Sequence, residues 1–425
     1  MPIFDKGDKV YRWKYSIKFL NFTFSNNDTI NIPVERVKSI NIEERFEEYY
    51  FPLIKIDIVL DPNTYYEIIK NKNTCKINLR VDKFYFIENN KSDKSVSRKY
   101  INDIFELIMD EATDDMYNSV KEDENKSDYI KRKKDTFNDL TKLNNVFTFY
   151  LFKPVVSSTK KNVNKLLCNC NVTDAVAYLA TVADINNILM AQPDNTQIYD
   201  ELLLPPLSIL RSLEFIDYYY GLYKEGSMIY FGLDYTYIIP YSAKCKAYYS
   251  GEKTVTNIII PKSTNINHTN LLGSLNKKND KTKNYIVADY TSIGIQNYSI
   301  SNNYINANNL QAVDSYDAIS TDGTSTAISK DSSFTKIIEN KTMNPYFASI
   351  YANQSTSQST VVSLRLYDYD ISSITPNKEF NLIFEDINYI KKYNGKYLVM
   401  ALSSSFIKEG DFMSLNSTLI LKKME

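Results

Sequence analysis

The sequence has a single histidine, His268, and only ten glycines in 425 residues. Ser-His-Asp or Cys-His catalysis would have to rest on that one histidine. It lies in an Asn-rich stretch, INHTN, and reads more simply as an exposed loop side chain. Scarce glycine argues against collagen-like, glycine-loop and low-complexity architectures. No Walker loop, dinucleotide fingerprint or calcium loop is present. The four cysteines, Cys75, Cys168, Cys170 and Cys245, are too few and too scattered for a disulfide framework. Cys168-x-Cys170 has the wrong spacing for a zinc knuckle and no second pair. The reading is therefore of a chain without catalytic, cofactor-binding or metal-binding residues, and not of an enzyme.

Long apolar runs are missing too. None reaches the ~18 residues that a membrane span needs, so no membrane insertion is expected. The stretch MPIFDKGDKVYRWKYS lacks the apolar core of a signal peptide, which points to a protein made in a reducing cytoplasm. An excess of charge of either sign is also absent. Lys plus Arg number 50 against 51 Asp plus Glu, which gives no long-range field to recruit nucleic acid or an anionic membrane.

What is present suits packed domains. Apolar residues make up 43% of the chain and charged residues 24%, and the length predicts two to four domains. From 11 to 24 the sequence alternates, with Trp13, Tyr15, Ile17 and Phe19 set against Arg12, Lys14, Ser16 and Lys18, as in a strand with one wet face. Further strands are expected over 29–42 (interrupted by Pro33), 50–60 and 75–87, with a short helix opened by Asp61-Pro62 and ending near Lys70. The charged stretch 88–145 reads as a solvated insertion with one docked helix, carrying Ile101, Ile104, Phe105 and Ile108. A strand over 146–156 resumes the first unit. The run Glu43-Glu44 and Glu47-Glu48, flanking Arg45 and Phe46, admits a paired-carboxylate hydrolase but fits a solvated edge or turn better.

The stretch 202–240 reads as the organising unit. Asn171 or Thr173 caps a helix before it, carrying Val176, Leu179, Ala183 and Met190. Pro205 and Pro206 then precede a second helix with Ile209, Leu213, Ile216 and Tyr220 on one face, and Gly221 ends it. The β-branched and aromatic run from Met228 to Ile239 is expected to be one strand, covered on both faces. Leu202, Leu203 and Leu204 together with Tyr218, Tyr219 and Tyr220 offer more apolar surface than one such unit buries, and so form the candidate assembly interface. The Asn-, Ser- and Thr-rich tract 263–358 is too long for a bare loop and should hide short strands. Clean strands return over 360–370, 379–386, 396–406 and 412–421, with turns at Asn394-Gly395 and at Lys408 to Asp411.

The fold class is accordingly mainly β with an α+β middle: two small antiparallel tube-like β-barrels joined by a helix-containing layer. The expected division is a first barrel over 1–156 with its insertion at 88–145, a middle layer over 157–240, a polar elaboration over 241–358 and a second barrel over 359–425. LLLPP, YYYGLYKEG, MIYFGLDYTYIIP and YNGKYLVMALSSSFIKEGDF, in this order, resemble the baseplate hub proteins of contractile-tailed bacteriophages, whose fold also opens the spike proteins of type VI secretion systems. The resemblance implies a structural virion protein of the phage tail baseplate, assembled in the host cytoplasm. It would be a homotrimer that adapts a six-fold tail tube to a three-fold central spike, touching tube, spike and other baseplate proteins. The alternative is a receptor- or glycan-binding tail-tip protein.

Overall fold

The computed structural model describes residues 11–87, 98–108, 145–241 and 393–424, with the shorter pieces 256–260, 284–287, 293–299, 316–321, 324–329, 337–339, 341–347, 350, 358–367, 371 and 374–384. His268, Cys245, most of the insertion and most of the polar tract lie outside the described residues.

The first part of the chain holds strands β1 (Tyr11–Thr23), β2 (Thr29–Asn31), β3 (Val37–Arg45), β4 (Leu53–Leu60), β5 (Lys76–Ile87), β6 (Arg98–Ile108) and β7 (Asn145–Phe152), with helix α1 (Pro62–Lys70) between β4 and β5. Asp61 caps α1 by accepting from the Thr64 N–H at 3.0 Å, and Pro62 occupies its first turn, as the sequence implies. The middle part holds α2 (Pro154–Thr159), β8 (Asn162–Cys170), α3 (Val172–Val182), β9 (Ile188–Met190), β10 (Tyr199–Ser208), α4 (Ile209–Phe215), β11 (Ser227–Phe231) and β12 (Thr236–Pro240). The last part holds β13 (Thr256–Ile260), β14 (Asn284–Val287), β15 (Ile293–Ser299), β16 (Tyr316–Thr321), β17 (Thr324–Ser329), β18 (Ile337–Glu339), β19 (Gln358–Tyr367), β20 (Glu379–Phe384), β21 (Gly395–Glu409) and β22 (Phe412–Lys423).

The protein is mainly β, and its centre is a closed antiparallel barrel of eight strands in the order β21-β3-β4-β7-β6-β5-β1-β22, with β22 returning to β21. Alternation builds it: on β4, Ile54, Ile56, Ile58 and Leu60 are buried while Leu53 and Lys55 face outward. Tyr15, Leu20, Phe22, Ile40, Ile77, Leu79, Phe105 and Phe406 are likewise at or near zero exposure, and the Tyr15 ring meets Phe406 edge-on at 4.9 Å. At this strand number side chains fill the interior, so the barrel is a packed body and not a pore.

The long hairpin β21–β22 belongs to two sheets at once. The early part of β21 pairs with β20 (Glu379↔Leu398) and its later part pairs with β3 (Ala401↔Arg45 to Ile407↔Ser39). The change of partner falls at an irregularity between Val399 and Ala401, where the Met400 carbonyl accepts from the Phe46 N–H at 3.0 Å. On the other strand, Met413 pairs with Tyr15 of β1 while Val361 to Tyr367 of β19 pair with Lys422 to Asn416. A second sheet, β14-β13-β20-β21-β22-β19-β15, thereby continues from the barrel through the same two strands.

Five expectations need correction. The strand expected over 146–156 ends at Phe152, and Pro154 opens helix α2. Residues 98–108 form barrel strand β6 and not a docked helix, because burial of Ile101 and Phe105 with exposure of Ile104 has the period of a strand. The run from Met228 to Ile239 is a hairpin: Gly232 donates to the Tyr235 carbonyl at 2.9 Å and turns the chain between β11 and β12. Met190 ends β9, beyond helix α3, and pairs in parallel with Ile238. Asn394-Gly395 is no two-residue turn either, since Gly395 pairs with Leu382 and Asn394 accepts from the Phe384 N–H at 2.7 Å. Gly410-Asp411 does turn the final hairpin, with Gly410 at φ 62°.

Candidate functional site

The middle layer is fixed by caps and buried polar groups. Asn171 and Asp174 form a reciprocal capping box at the start of α3, each side chain bonded to the other's backbone N–H at 3.0 Å. The Ser208 hydroxyl accepts from the Arg211 N–H at the start of α4. This helix widens into a π-turn over Ile216–Tyr220, closed by Gly221 N–H to the Ile216 carbonyl at 3.0 Å. Gly221 has φ +74°, and a Cβ there would stand 2.2 Å from Asn344 Oδ1. Both facts reserve the position for glycine. Asn344 occupies that space and donates to the Asp217 and Tyr218 carbonyls at 3.1 and 3.2 Å.

The candidate interface residues separate on this frame. Leu202, Leu204 and Tyr220 are in the chain's own core, at 0, 0 and 3% exposure. Tyr220 packs edge-on to Tyr199, and its hydroxyl accepts from the Leu203 N–H at 3.0 Å. Tyr219 is partly buried and stacks on Phe215, with centroids 5.1 Å apart. Leu203 and Tyr218 face outward, at 48 and 60% exposure. Leu203 is the cross-strand partner of Leu166, itself 46% exposed, on the two-stranded β8–β10 ribbon.

Tyr218 opens onto a cleft of about 320 Å³ that the sequence did not reveal. One wall is the loop after β3, with Phe46, Glu47, Glu48, Tyr49 and Tyr50; another is the π-turn, with Glu214, Asp217 and Tyr218. The start of β11, Tyr241, and Asn344, Phe347 and Ile350 complete it. The barrel docks here. The Phe231 N–H donates to the Tyr50 carbonyl at 2.8 Å, Phe51 stacks on Phe231 at 5.0 Å, and the Tyr50 hydroxyl donates to Glu214. Just behind, the Tyr230 hydroxyl donates to Glu44 at 3.1 Å and its ring meets Phe46 edge-on.

Burial dominates the electrostatics of this junction. It pushes the Glu44 carboxyl up to about 7, against the opposing hydrogen bond from Tyr230 and helped by the charge of Asp234. It also raises Glu47 and Asp217, although Lys422 pulls Glu47 back and the Ser227 hydroxyl and Leu222 N–H pull Asp217 back. Tyr50 is raised to about 12, by burial first and then by its bond to Glu214. The weighed carboxylates Glu43 and Glu48 are held by Arg45, at 2.6 and 2.8 Å. Cys75 and Cys170 are buried and Cys168 is exposed. Among the described residues no group of three or more His, Cys, Asp or Glu side chains could hold a metal ion. No helix among them is long and apolar enough to cross a membrane.

Residues 8–424 match the family described as Bacteriophage PBS1 gene 109 protein. The chain belongs to that family. Among solved structures it is similar to a tail protein from Neisseria meningitidis MC58, with 8% identity, TM-score 0.46, and 97% of this chain and 96% of that one covered. It is also similar to the 43 kDa tail protein of prophage MuSo2 from Shewanella oneidensis, with 8% identity, TM-score 0.44, and 95% and 97% covered. A third is the E. coli c3393 protein, a component of the type VI secretion system, with 8% identity, TM-score 0.40, and 97% and 77% covered. No curated protein matches the sequence.

Proposed function

We propose that this member of a bacteriophage family is a structural protein of the tail baseplate: a hub that assembles as a homotrimer, seats the tail tube on one side and holds the central spike on the other. The observation that carries the reading is the shared hairpin β21–β22, through which one subunit carries a closed barrel and a second sheet. Two such bodies per subunit, repeated three times, give six similar positions around an axis, which is what a three-fold body needs to match a six-fold one. The filled interior of the barrel supports the same arrangement, because any channel must then run between subunits and not through one. In this reading residues 1–156 together with the hairpin form one tube-like unit, 157–240 the connecting layer and 359–425 part of the other. Its role is mechanical, without catalysis, in a virion assembled in the host cytoplasm.

Leu203, Leu166 and Tyr218, with Ile198 and Tyr235, are the exposed large apolar side chains of the middle layer that such an interface would cover. The test is native mass spectrometry of the purified chain, alone and mixed with the tube and spike proteins of the same virion. A trimer, alone or on mixing, is the expected outcome. A chain that stays monomeric with every partner yet binds host cells or wall glycans overturns the hub in favour of a tail-tip receptor-binding protein.

A further inference from the structure

The cleft between barrel and middle layer holds carboxyls that have no close cation among the described residues. At its rim the charges are matched: Glu48 pairs with Arg45 at 2.8 Å and Glu214 with Arg211 at 2.6 Å. Inside they are not. Glu47 makes no hydrogen bond or ion pair among the described residues, and only the more distant charge of Lys422 favours its ionised form. Asp217 takes the Ser227 hydroxyl and backbone N–H and, at 3.4 Å, the Leu222 N–H, with no basic side chain in ion-pair contact among the described residues.

The walls around these groups are tyrosine. Tyr49, Tyr218 and Tyr241 all line the cleft and are 46, 60 and 38% exposed, so three of the molecule's exposed large apolar side chains gather at one opening. The rim already displays how an arginine sits on such a surface: the Arg45 guanidinium stands over the Tyr49 ring, 5.6 Å from its centroid, while bonded to Glu43 and Glu48. A compact metal ion suits the cleft poorly, because among the described residues its carboxylates form no group of three that could ligate one. A flat, extended cation that pairs at its edge and stacks on its face suits it well.

We propose that the cleft receives an arginine side chain carried on a protruding segment of a neighbouring protein, its guanidinium paired with Glu47 and Asp217 and covered by Tyr218 and Tyr241. Both carboxyls are disfavoured as anions in the free chain by burial, and an arriving cation removes that penalty. The proposal borrows from the assembly reading only the source of the arginine. Its test needs only the purified full chain, so the two readings fail independently.

The measurement is calorimetric or NMR titration with the peptide acetyl-Gly-Arg-Gly-amide, beside a peptide of the same length with citrulline, whose neutral urea has the shape of the guanidinium. Expected is saturable one-site binding of the arginine peptide, weakened on the order of tenfold by Glu47→Gln and by the citrulline exchange, and weakened further as salt is raised. Tyr218→Ala should weaken it by a smaller factor, on the order of threefold. Glu47→Gln is the informative variant because Glu47 makes no hydrogen bond or ion pair among the described residues, and a melting temperature that the substitution does not lower verifies that folding does not need the carboxylate. Absence of saturable binding, equal affinity for the citrulline peptide, or an unaffected Glu47→Gln variant overturns the proposal. So does calcium chloride displacing the peptide at lower concentration than arginine amide, which would make the cleft a metal site.

Discussion

In the barrel, β4 buries every second residue, and its core is aliphatic and aromatic from Ile54 to Phe406. In the middle layer, β11 and β12 bury every residue, and the gaps around them are closed by polar side chains. Asn195 donates to the Tyr199 hydroxyl and to the Tyr220 and Gly221 carbonyls at 2.8–2.9 Å, and the Tyr223 hydroxyl reaches the Ala191 and Ile238 carbonyls at 2.7 and 2.9 Å. The barrel therefore depends on area removed from water, which is non-directional and tolerates exchange of similar shapes. The middle layer depends on bonds of fixed direction, and each buried donor or acceptor there must keep its partner.

The comparison can be broken most sharply at β6. Phe105 is fully buried in the barrel wall, so Phe105→Ala should cost about 3–5 kcal/mol in a chemical-denaturation measurement. A loss below about 1 kcal/mol would return residues 98–108 to the status of a surface appendage. The junction comes next. Because burial raises Glu44 from 4.5 to about 7, the folded state holds that proton more tightly than the unfolded chain. Stability is then fullest below the unfolded value and falls as pH rises from about 4.5 through 7, by on the order of 3 kcal/mol for this group. Raised Glu47 and Asp217 act in the same direction. Melting temperature followed over this range should decline, and Glu44→Gln should flatten the slope; an unchanged slope would show that Glu44 is hydrated. The smallest effect belongs to the polar layer: Asn195→Ala, in a side chain only 4% exposed, should cost about 1–3 kcal/mol by stranding two carbonyls. Asn195→Asp should be worse, since it turns acceptors toward acceptors. If aspartate is tolerated equally well, directional bonding is not what holds this layer.

Much of the barrel was legible because one wet face imposes a period of two on β1, β4 and β5, and Asp61-Pro62 announces α1. The signal failed where burial is two-sided or sparse. Ile101 and Phe105 are four apart, a spacing that fits a helix turn and a strand equally, and the charged residues around them tipped the balance toward a helix. On β11 and β12 both faces are buried, so no alternation marks the turn at Gly232. The closure of the barrel by β21 and β22 had no local trace, since strand partners are chosen by register across the fold. The cleft was hidden for the same reason. Glu47 and Tyr218 were each noticed in their own run, but a loop, the π-turn and the start of β11 meet at one opening only in the fold, and such a meeting leaves no periodic signal.

The hairpin that closes the barrel has a consequence for how the chain is made. Ser405 bonds Asn41 across a sequence separation of 364 residues, and β21 and β22 leave a ribosome after β1, β3, β19 and β20, with which they pair. Until they arrive, β1 and β3 stand as open edges, exposed to pairing with anything extended nearby. The same late strands also bind β19 and β20, so both sheets are completed in one stroke. Synthesis that stops short of this hairpin leaves neither sheet finished, and only a chain translated through it carries both complete surfaces.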